Sequence, residues 1–472
     1  MILGTIQRTN TNMKTSRKKI QHLYLRAGFG ETPAYIRSKM TSDIGSLVDE
    51  LFLESEKSVP LDFLPKPKTN RKGEVRPLQI VALILRSQKE NERLNIAWLS
   101  RMTLRKGRLR EKMTFFWQDH FACSAPFSWL MQVQNNMLRE HALGSFRKML
   151  HAIARDPAMI IYLNNQQNKK ARPNENFARE VMELFTLGIG HYTENDIKEA
   201  ARAFTGWSVD RSGNYKFEAN EHDDGEKTVF GKKGNFNGGD IIDMLLEQKQ
   251  TARYICRKIY REFVSEFVNE DAVEEMTRIF YESDYNIGKL MRHVFTSEWF
   301  YADENIGCKI ASPVELIVRL VRLTELEFTD EKSQLELQKV LGQTLFFPPN
   351  VAGWKGGRNW IDSSSLIIRL SIPKAMIDGS ALNLNAKPFF EELEEKKNKE
   401  VKVRANWKKI VDQLAVVPDE DLEEELTAAL IQSPAGRIDR ELLRSLVDKS
   451  TRNKRVVSTA AALMSMPEFQ LI

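Results

Sequence analysis

The sequence predicts a mainly α fold: one large multi-helix domain with a small irregular or β-hairpin excursion and a C-terminal helical subdomain. Three observations carry this expectation. From Ser16 onward Leu, Met, Ala, Glu, Lys and Arg are abundant, and apolar residues recur at three-and-four spacing, the period of an amphipathic helix. Glycines crowd into residues 206–240 around short alternating runs. Proline and glycine otherwise concentrate at 58–77 and 343–363, where they punctuate helical regions.

Taken in order, residues 1–57 read as an N-terminal helical region. Residues 58–77, with Pro60, Pro65, Pro67 and Pro77 among lysines, read as a loop that ends before a helix starting near Leu78. Residues 78–380 form the helical core. Within it the excursion 206–240 carries the runs Asn214–Glu218 and Lys227–Phe230. The loop 343–363 contains Pro348, Pro349, Trp354, the Gly356-Gly357 pair and Trp360, and it is expected to be irregular, with Asp362 or Ser363 capping the next helix. Residues 381–472 are expected as the helical subdomain, with the charged runs Glu394–Glu400 and Asp419–Glu425 on solvated faces.

Composition bounds the function. The chain has 472 residues, 42% of them hydrophobic, enough to bury a sizeable core. Seventy basic against 64 acidic residues leave a formal charge of +6, too small an excess to require a polyanionic partner. Three cysteines, Cys123, Cys256 and Cys308, with no CxxC pair, support neither a disulfide framework nor a cysteine-built zinc site. Arg8, Lys14, Arg17, Lys18 and Lys19 are followed by no apolar segment, and Ile80–Leu85 is far too short to span a bilayer. A soluble protein is expected, cytoplasmic unless an exported partner carries it out.

The candidate chemistry centres on Pro173–Trp207. Pro173 and Asn174 open a helix that Gly188 closes; Phe177, Val181 and Leu184 share its apolar face, while Asn176, Glu180 and Glu183 form a polar row. Neighbouring carboxylates repel unless a metal ion, a shared proton or an arginine compensates. The plain alternative is a surface ladder through Glu175, Arg179 and Glu183, each four residues apart. Thr193 with Asp196 makes a capping-box start for the next helix, and Gly206 ends it. His191 lies in the link between them.

Elsewhere, His120 follows Phe116 by one helical turn in Met113–Phe121 and is either a buried, hydrogen-bonded histidine or a ligand. His141 stands in a second polar cluster. Glu221-His-Asp-Asp-Gly-Glu-Lys227 is too short for a calcium-binding EF-hand loop and reads as a charged turn or as a source of metal ligands through His222 and Asp223. Trp354 and Trp360 either stack on a ligand ring, aided by Asn350, Arg358 and Asn359, or pin their loop to the core. Arg101, Arg105 and Arg108 can share one basic helix face, the best segment for nucleic acid, yet no nucleic-acid motif accompanies them. Phosphate-cradling loops, dinucleotide fingerprints, nucleophile elbows and His-Glu-x-x-His are missing from the sequence.

Several segments together resemble a bacterial family known as domain of unknown function 1800. They are His22–Gly30, Phe116–Phe121, Arg139–Gly144, Asp156–Asn164, Asn174–Trp207, His222-Asp-x-Gly-x-Lys227 with Gly231, Lys309-x-x-Ser-Pro-Val-Glu315, Pro348–Trp354 and the closing Ser465-x-Pro-Glu-Phe-Gln470. They run in order through nearly the whole chain. The resemblance implies no established reaction. It does imply frequent export and a neighbouring partner of domain of unknown function 1501, a family similar to sulfatases and alkaline phosphatases. Phe185 stands where many relatives carry histidine.

Two functions follow as expectations. The first is a hydrolase-like enzyme with a polar or metal-assisted pocket for a polar, carbohydrate-like substrate. Glu180, Glu183 and His120 would be its catalytic groups, and Asn174, Asn176, Arg179, Trp354 and Trp360 its substrate contacts. A divalent metal would take its ligands from His120, Glu180, Glu183, His222 and Asp223. The pocket would lie between the helices bearing His120, His141 and Glu180/Glu183, under the 206–240 excursion and the Trp354 loop. The second is a non-catalytic helical accessory protein that binds the sulfatase- or phosphatase-like partner.

Overall fold

The computed structural model describes residues 15–70, 74–383, 400–433 and 438–472. It is mainly helical, with small two- and three-stranded sheets. At its centre the helix Arg108–His120 is buried along almost its whole length and packs against Arg17–Gly28 and Ser128–His141. Pro313–Thr324 is buried to a similar degree. Helices buried all round must satisfy any charge they carry from within the protein. Arg139 meets Glu111 at 2.8 Å, Arg108 meets Glu54 at 2.7 Å, and Arg322 donates to the carbonyls of Gly30, Met102 and Leu104 at 2.7–2.8 Å.

The basic stripe expected on one helix face is corrected. The helix Pro77–Met102 ends before Arg105, Gly107 adopts a left-handed φ of 78°, and a new helix starts at Arg108. Arg108 turns inward to Glu31 and Glu54, Arg105 meets Glu31 at 3.1 Å, and Arg101 donates to the carbonyls of Val59 and Pro60. Burial and pairing consume most of the charge that the sequence displays as a stripe.

The excursion consists of two antiparallel hairpins, Trp207–Val209 with Tyr215–Phe217 and Lys227–Val229 with Lys232–Gly234. Gly206, at φ 79°, is required because a Cβ there would lie 2.6 Å from the Glu218 carbonyl oxygen. The region 381–472 contributes strands as well as helices. Ala381–Asn383 and Glu400–Arg404 pair antiparallel, and Glu327–Phe328 joins the other edge of Glu400–Arg404. Alternation explains this: Val401 and Val403 are buried while Lys402 and Arg404 face out. Residues 394–399 of the first expected charged face lie outside the described residues. In the second, Glu425 leaves the solvent to pair with Arg17 and Arg37 at 2.5 and 2.6 Å, tying the C-terminal helices to the first helix. Among the described residues no helix is long and apolar enough to cross a membrane.

Candidate functional site

The helix beginning at Asn176 is α-helical only to Glu180; Val181–Thr186 continue as a π-turn. The Leu187 N–H bonds the Met182 carbonyl at 2.8 Å, and the Thr186 hydroxyl bonds the Val181 carbonyl at 2.7 Å. Widened turns of this kind redirect carbonyl groups sideways. Here the Leu184 carbonyl accepts from the Tyr254 hydroxyl at 3.1 Å, and the Phe185 carbonyl contacts His120 Nε2 at 3.2 Å.

His120 is fully buried among Phe116, Trp117, Phe121, Phe146 and Phe185. Burial first, and the Lys258 charge second, hold its pKa well below the ordinary histidine value, so the ring is neutral. With Nε2–H donating to Phe185, Nδ1 is left as an acceptor, and it receives a hydrogen bond from Lys258 Nζ at 2.9 Å. The polar signature helix thus fixes a histidine tautomer, and that tautomer holds a lysine.

Lys258 comes from Lys249–Phe263, an amphipathic helix on which Glu262 follows one turn later. Together with Asp119, Arg261, Glu266 and Lys309 these side chains line a cavity of about 620 Å³ whose apolar wall includes Phe115, Phe116, Trp354 and Trp360. That volume suits a small organic ligand. The loop 343–363 closes one side. Trp354 N–H donates to Asp119 Oδ1 at 2.8 Å, and Gly353, at φ 77°, presses so close that a Cβ would lie 2.3 Å from the same oxygen. Gly357 approaches Glu266 similarly, with a Cβ position 2.7 Å from its Oε1. The expected contribution of glycines to this loop therefore has a specific cause: backbone, and not side chain, abuts two cavity carboxylates.

Two cavity groups titrate near neutrality, displaced in opposite directions. Burial pushes the Asp119 carboxyl up to about 6, against the Trp354 hydrogen bond and the charge of Lys258. Burial pushes Lys258 down to about 8, opposed by Asp119. Behind them lies a closed ion cluster. Lys309 bonds Glu262 at 2.8 Å and Glu315 at 3.3 Å; Lys112 bonds Glu262 at 3.1 Å and also Glu315. The Lys309 backbone is itself clamped, since its carbonyl accepts the Ile472 N–H at 2.8 Å and Ala311 N–H donates to the Gln470 carbonyl at 2.8 Å. The closing Pro-Glu-Phe-Gln470 motif thus holds a cavity lysine in place.

Of the expected residues the structure places Trp354 and Trp360 in the wall of this cavity and His120 behind its Lys258, and it places the others elsewhere. Glu183 accepts from the Tyr192 hydroxyl at 2.6 Å, and the half-buried Glu180 carboxyl is raised by burial and by Glu183. Arg179 bonds Glu175 at 3.2 Å and Glu194 at 2.8 Å, so the expected ladder turns to the next helix instead of reaching Glu183. The Asn174 side chain caps the Asn176 N–H at 3.0 Å, and Asn176 donates to the Leu163 carbonyl at 3.0 Å. His222 Nδ1 contacts the Thr205 carbonyl at 2.9 Å, and Asp223 pairs with Arg202 at 2.7 Å. That charged turn wraps Lys227, whose ammonium donates to the carbonyls of Asp223 and Gly225 at 2.5 and 2.9 Å. Neither His141 nor the hairpins line the Asp119 cavity. Among the described residues, no three His, Cys, Asp or Glu side chains are grouped to hold a metal ion.

Sequence reasoning missed Asp119, Lys258, Glu262 and Lys309. Two weak signals existed: Asp119 adjoins the chosen His120, and Lys309 opens a quoted motif. No curated protein matches the chain, and neither does any solved structure. The family described as Protein of unknown function (DUF1800) matches residues 22–471, in accord with the motifs that run through the chain, and the chain belongs to that family.

Proposed function

We propose that the Asp119 cavity is the active site of a hydrolase-like acid–base enzyme for a small polar substrate with a carbohydrate-like ring. The observation that carries this reading is the pair Asp119 and Lys258, facing one aromatic-walled cavity and displaced toward neutrality from opposite sides. Between about pH 6 and 8 Asp119 is a carboxylate able to take a proton from water, and Lys258 is an ammonium able to give one to a departing oxygen. Trp354 and Trp360 offer faces for a ring, and Arg261 and Glu266 offer polar contacts at the exposed side. His120 touches no ligand in this reading; it orients Lys258.

The test is a panel of oligosaccharides and simpler glycosides, followed by product chromatography. The active compound should give a bell-shaped rate profile with limbs near pH 6 and 8, which belong to the coupled pair. Asp119→Asn should lower kcat by roughly a hundredfold or more and remove the acid limb. Unchanged turnover in Asp119→Asn, or a flat profile across that range, excludes the assignment.

One surface feature favours the accessory-protein reading. Leu78, Val81 and Leu85 fall on one side of the helix Pro77–Met102 and are 85%, 55% and 80% exposed. A helix with such an apolar stripe suits a groove on a partner, here the sulfatase- or phosphatase-like protein. Co-expression of the two chains should yield a complex that Val81→Asp weakens at least tenfold, about 1.4 kcal/mol. Independent elution of both chains removes this reading.

A further inference from the structure

The three lysines around the central cavity differ in what their nitrogens can do. Lys112 Nζ is buried between Glu262 and Glu315, and Lys309 Nζ sits between the same two carboxylates. Each nitrogen is held by direct ion pairs to two carboxylates, which raise the Lys112 pKa and oppose the lowering that burial imposes on Lys309. Lys258 differs: among the described residues it forms no ion pair within 4 Å, and its hydrogen-bond partner is the neutral His120 Nδ1. A neutral imidazole takes one N–H and supplies no negative charge to keep the nitrogen protonated. The nitrogen faces a cavity with Phe115 and Phe116 in its wall and Asp119 nearby. A buried amine without an ion pair, bordered by phenyl rings and a single nearby carboxyl, has the features of a carbonyl-capturing lysine.

We propose that Lys258 Nζ forms a reversible imine with an aldehyde admitted to the cavity, the open-chain aldehyde of a polar, hydroxyl-bearing compound being the fitting class. The lone pair of the neutral amine attacks the carbonyl carbon, and one of the nitrogen's two protons passes to the oxygen to give a neutral carbinolamine. The nitrogen then releases a proton while the hydroxyl, protonated through Asp119, departs as water. One C–N double bond and one water result, and no electrons are gained or lost. Asp119 thereby moves the proton in this addition as it does in hydrolysis. The inference rests on the preceding reading only in that the cavity admits a polar ligand; it does not require turnover.

The test uses the full wild-type chain, glyceraldehyde as probe and cyanoborohydride to reduce any imine to a stable secondary amine, with peptide mass mapping of the modified lysines. Lys258 should be labelled roughly tenfold or more faster than the exposed Lys355 at about pH 7.5, because burial lowers the Lys258 pKa to about 8 and leaves a substantial fraction of its amine neutral. Because Asp119→Asn also removes a charge that keeps Lys258 protonated, its effect is read from the pH profile: the plateau labelling rate, with the amine fully neutral, should fall severalfold, and Lys258→Arg should lose that modified peptide while Lys355 labels as before. Labelling of Lys258 no faster than Lys355 in the folded wild-type chain overturns the proposal. If Asp119→Asn also abolishes glycoside turnover in that case, the imine falls and the acid–base reading stands. Selective labelling of Lys258 with no turnover of any glycoside yields the converse.

Discussion

Lys112→Met is expected to destabilise the protein by about 3–5 kcal/mol, the range for removing one partner of a buried ion pair. Lys112 is 1% exposed and Glu315 is 3% exposed. Without Lys112, Glu315 keeps only the more distant Lys309, at 3.3 Å, and its capping bond from the Ser312 N–H at 2.7 Å. Burial raises the cost of ionising Glu315, but Lys112 first and Lys309 second outweigh it and hold the carboxyl well below the ordinary range. A depressed carboxyl contributes stability above its unfolded pKa and loses that contribution as pH falls through the folded value. The difference between wild type and Lys112→Met in urea unfolding should therefore shrink in acid. The double variant Lys112→Met/Glu315→Leu should recover much of the loss, because removing both charges removes the stranded one. A cost below about 1 kcal/mol for Lys112→Met contradicts the ion cluster described here.

Asp119→Asn carries the second large effect, with the opposite sign. The Asp119 carboxyl is raised from an ordinary 3.8 to about 6 by burial, so the folded protein binds its proton more tightly than the unfolded chain does. Stability from this group is full at low pH and falls as pH rises from about 4 to 6. Asparagine retains an oxygen for the Trp354 N–H without the charge. The variant should be more stable than wild type above pH 6 by roughly 2–3 kcal/mol, with the gap closing toward pH 4. Asp156, raised by burial to about 7 while capping Met159 N–H at 3.0 Å, adds a similar slope to both proteins and cancels in the comparison. A stability difference that does not vary between pH 4 and 7 contradicts the assignment. A gain in stability with a loss of turnover would mark Asp119 as a group held at a cost for its chemistry.

The local rules of the sequence were legible where local physics decides them. The Thr193–Asp196 capping box forms in both directions, Asp362 caps Ser363–Asp378, and Gly206 stands where only a left-handed turn fits. The 58–77 loop gives way to a helix at Pro77, one residue from the expected start. The region 381–472, expected as helical, contains a strand at Glu400–Arg404, where apolar and charged residues alternate strictly over only five residues. The π-turn at Val181–Thr186 had no comparable signal: its residues continue the helical period, and the widening is stabilised by Tyr254 and His120 from distant segments.

For the site, residue spacing alone indicated the aromatic helix bearing His120 and the glycine-rich loop with Trp354 and Trp360, and the motifs along the chain indicated membership in a family recognisable from residue 22 to 471. Spacing also made Glu180 and Glu183 the prominent acids, because a polar row on a helix is visible in one dimension. That the proposed working groups are Asp119 and Lys258 emerges from three-dimensional packing. Lys258 lies beside Arg257 and one turn from Arg261 and Tyr254, on a helix whose pattern is that of any amphipathic surface helix. Its partner His120 is 138 residues away. What distinguishes the lysine is lost solvent and a neutral neighbour, and both arise only when that helix closes over Arg108–His120. Desolvation depends on everything packed around a group, which local sequence spacing does not encode.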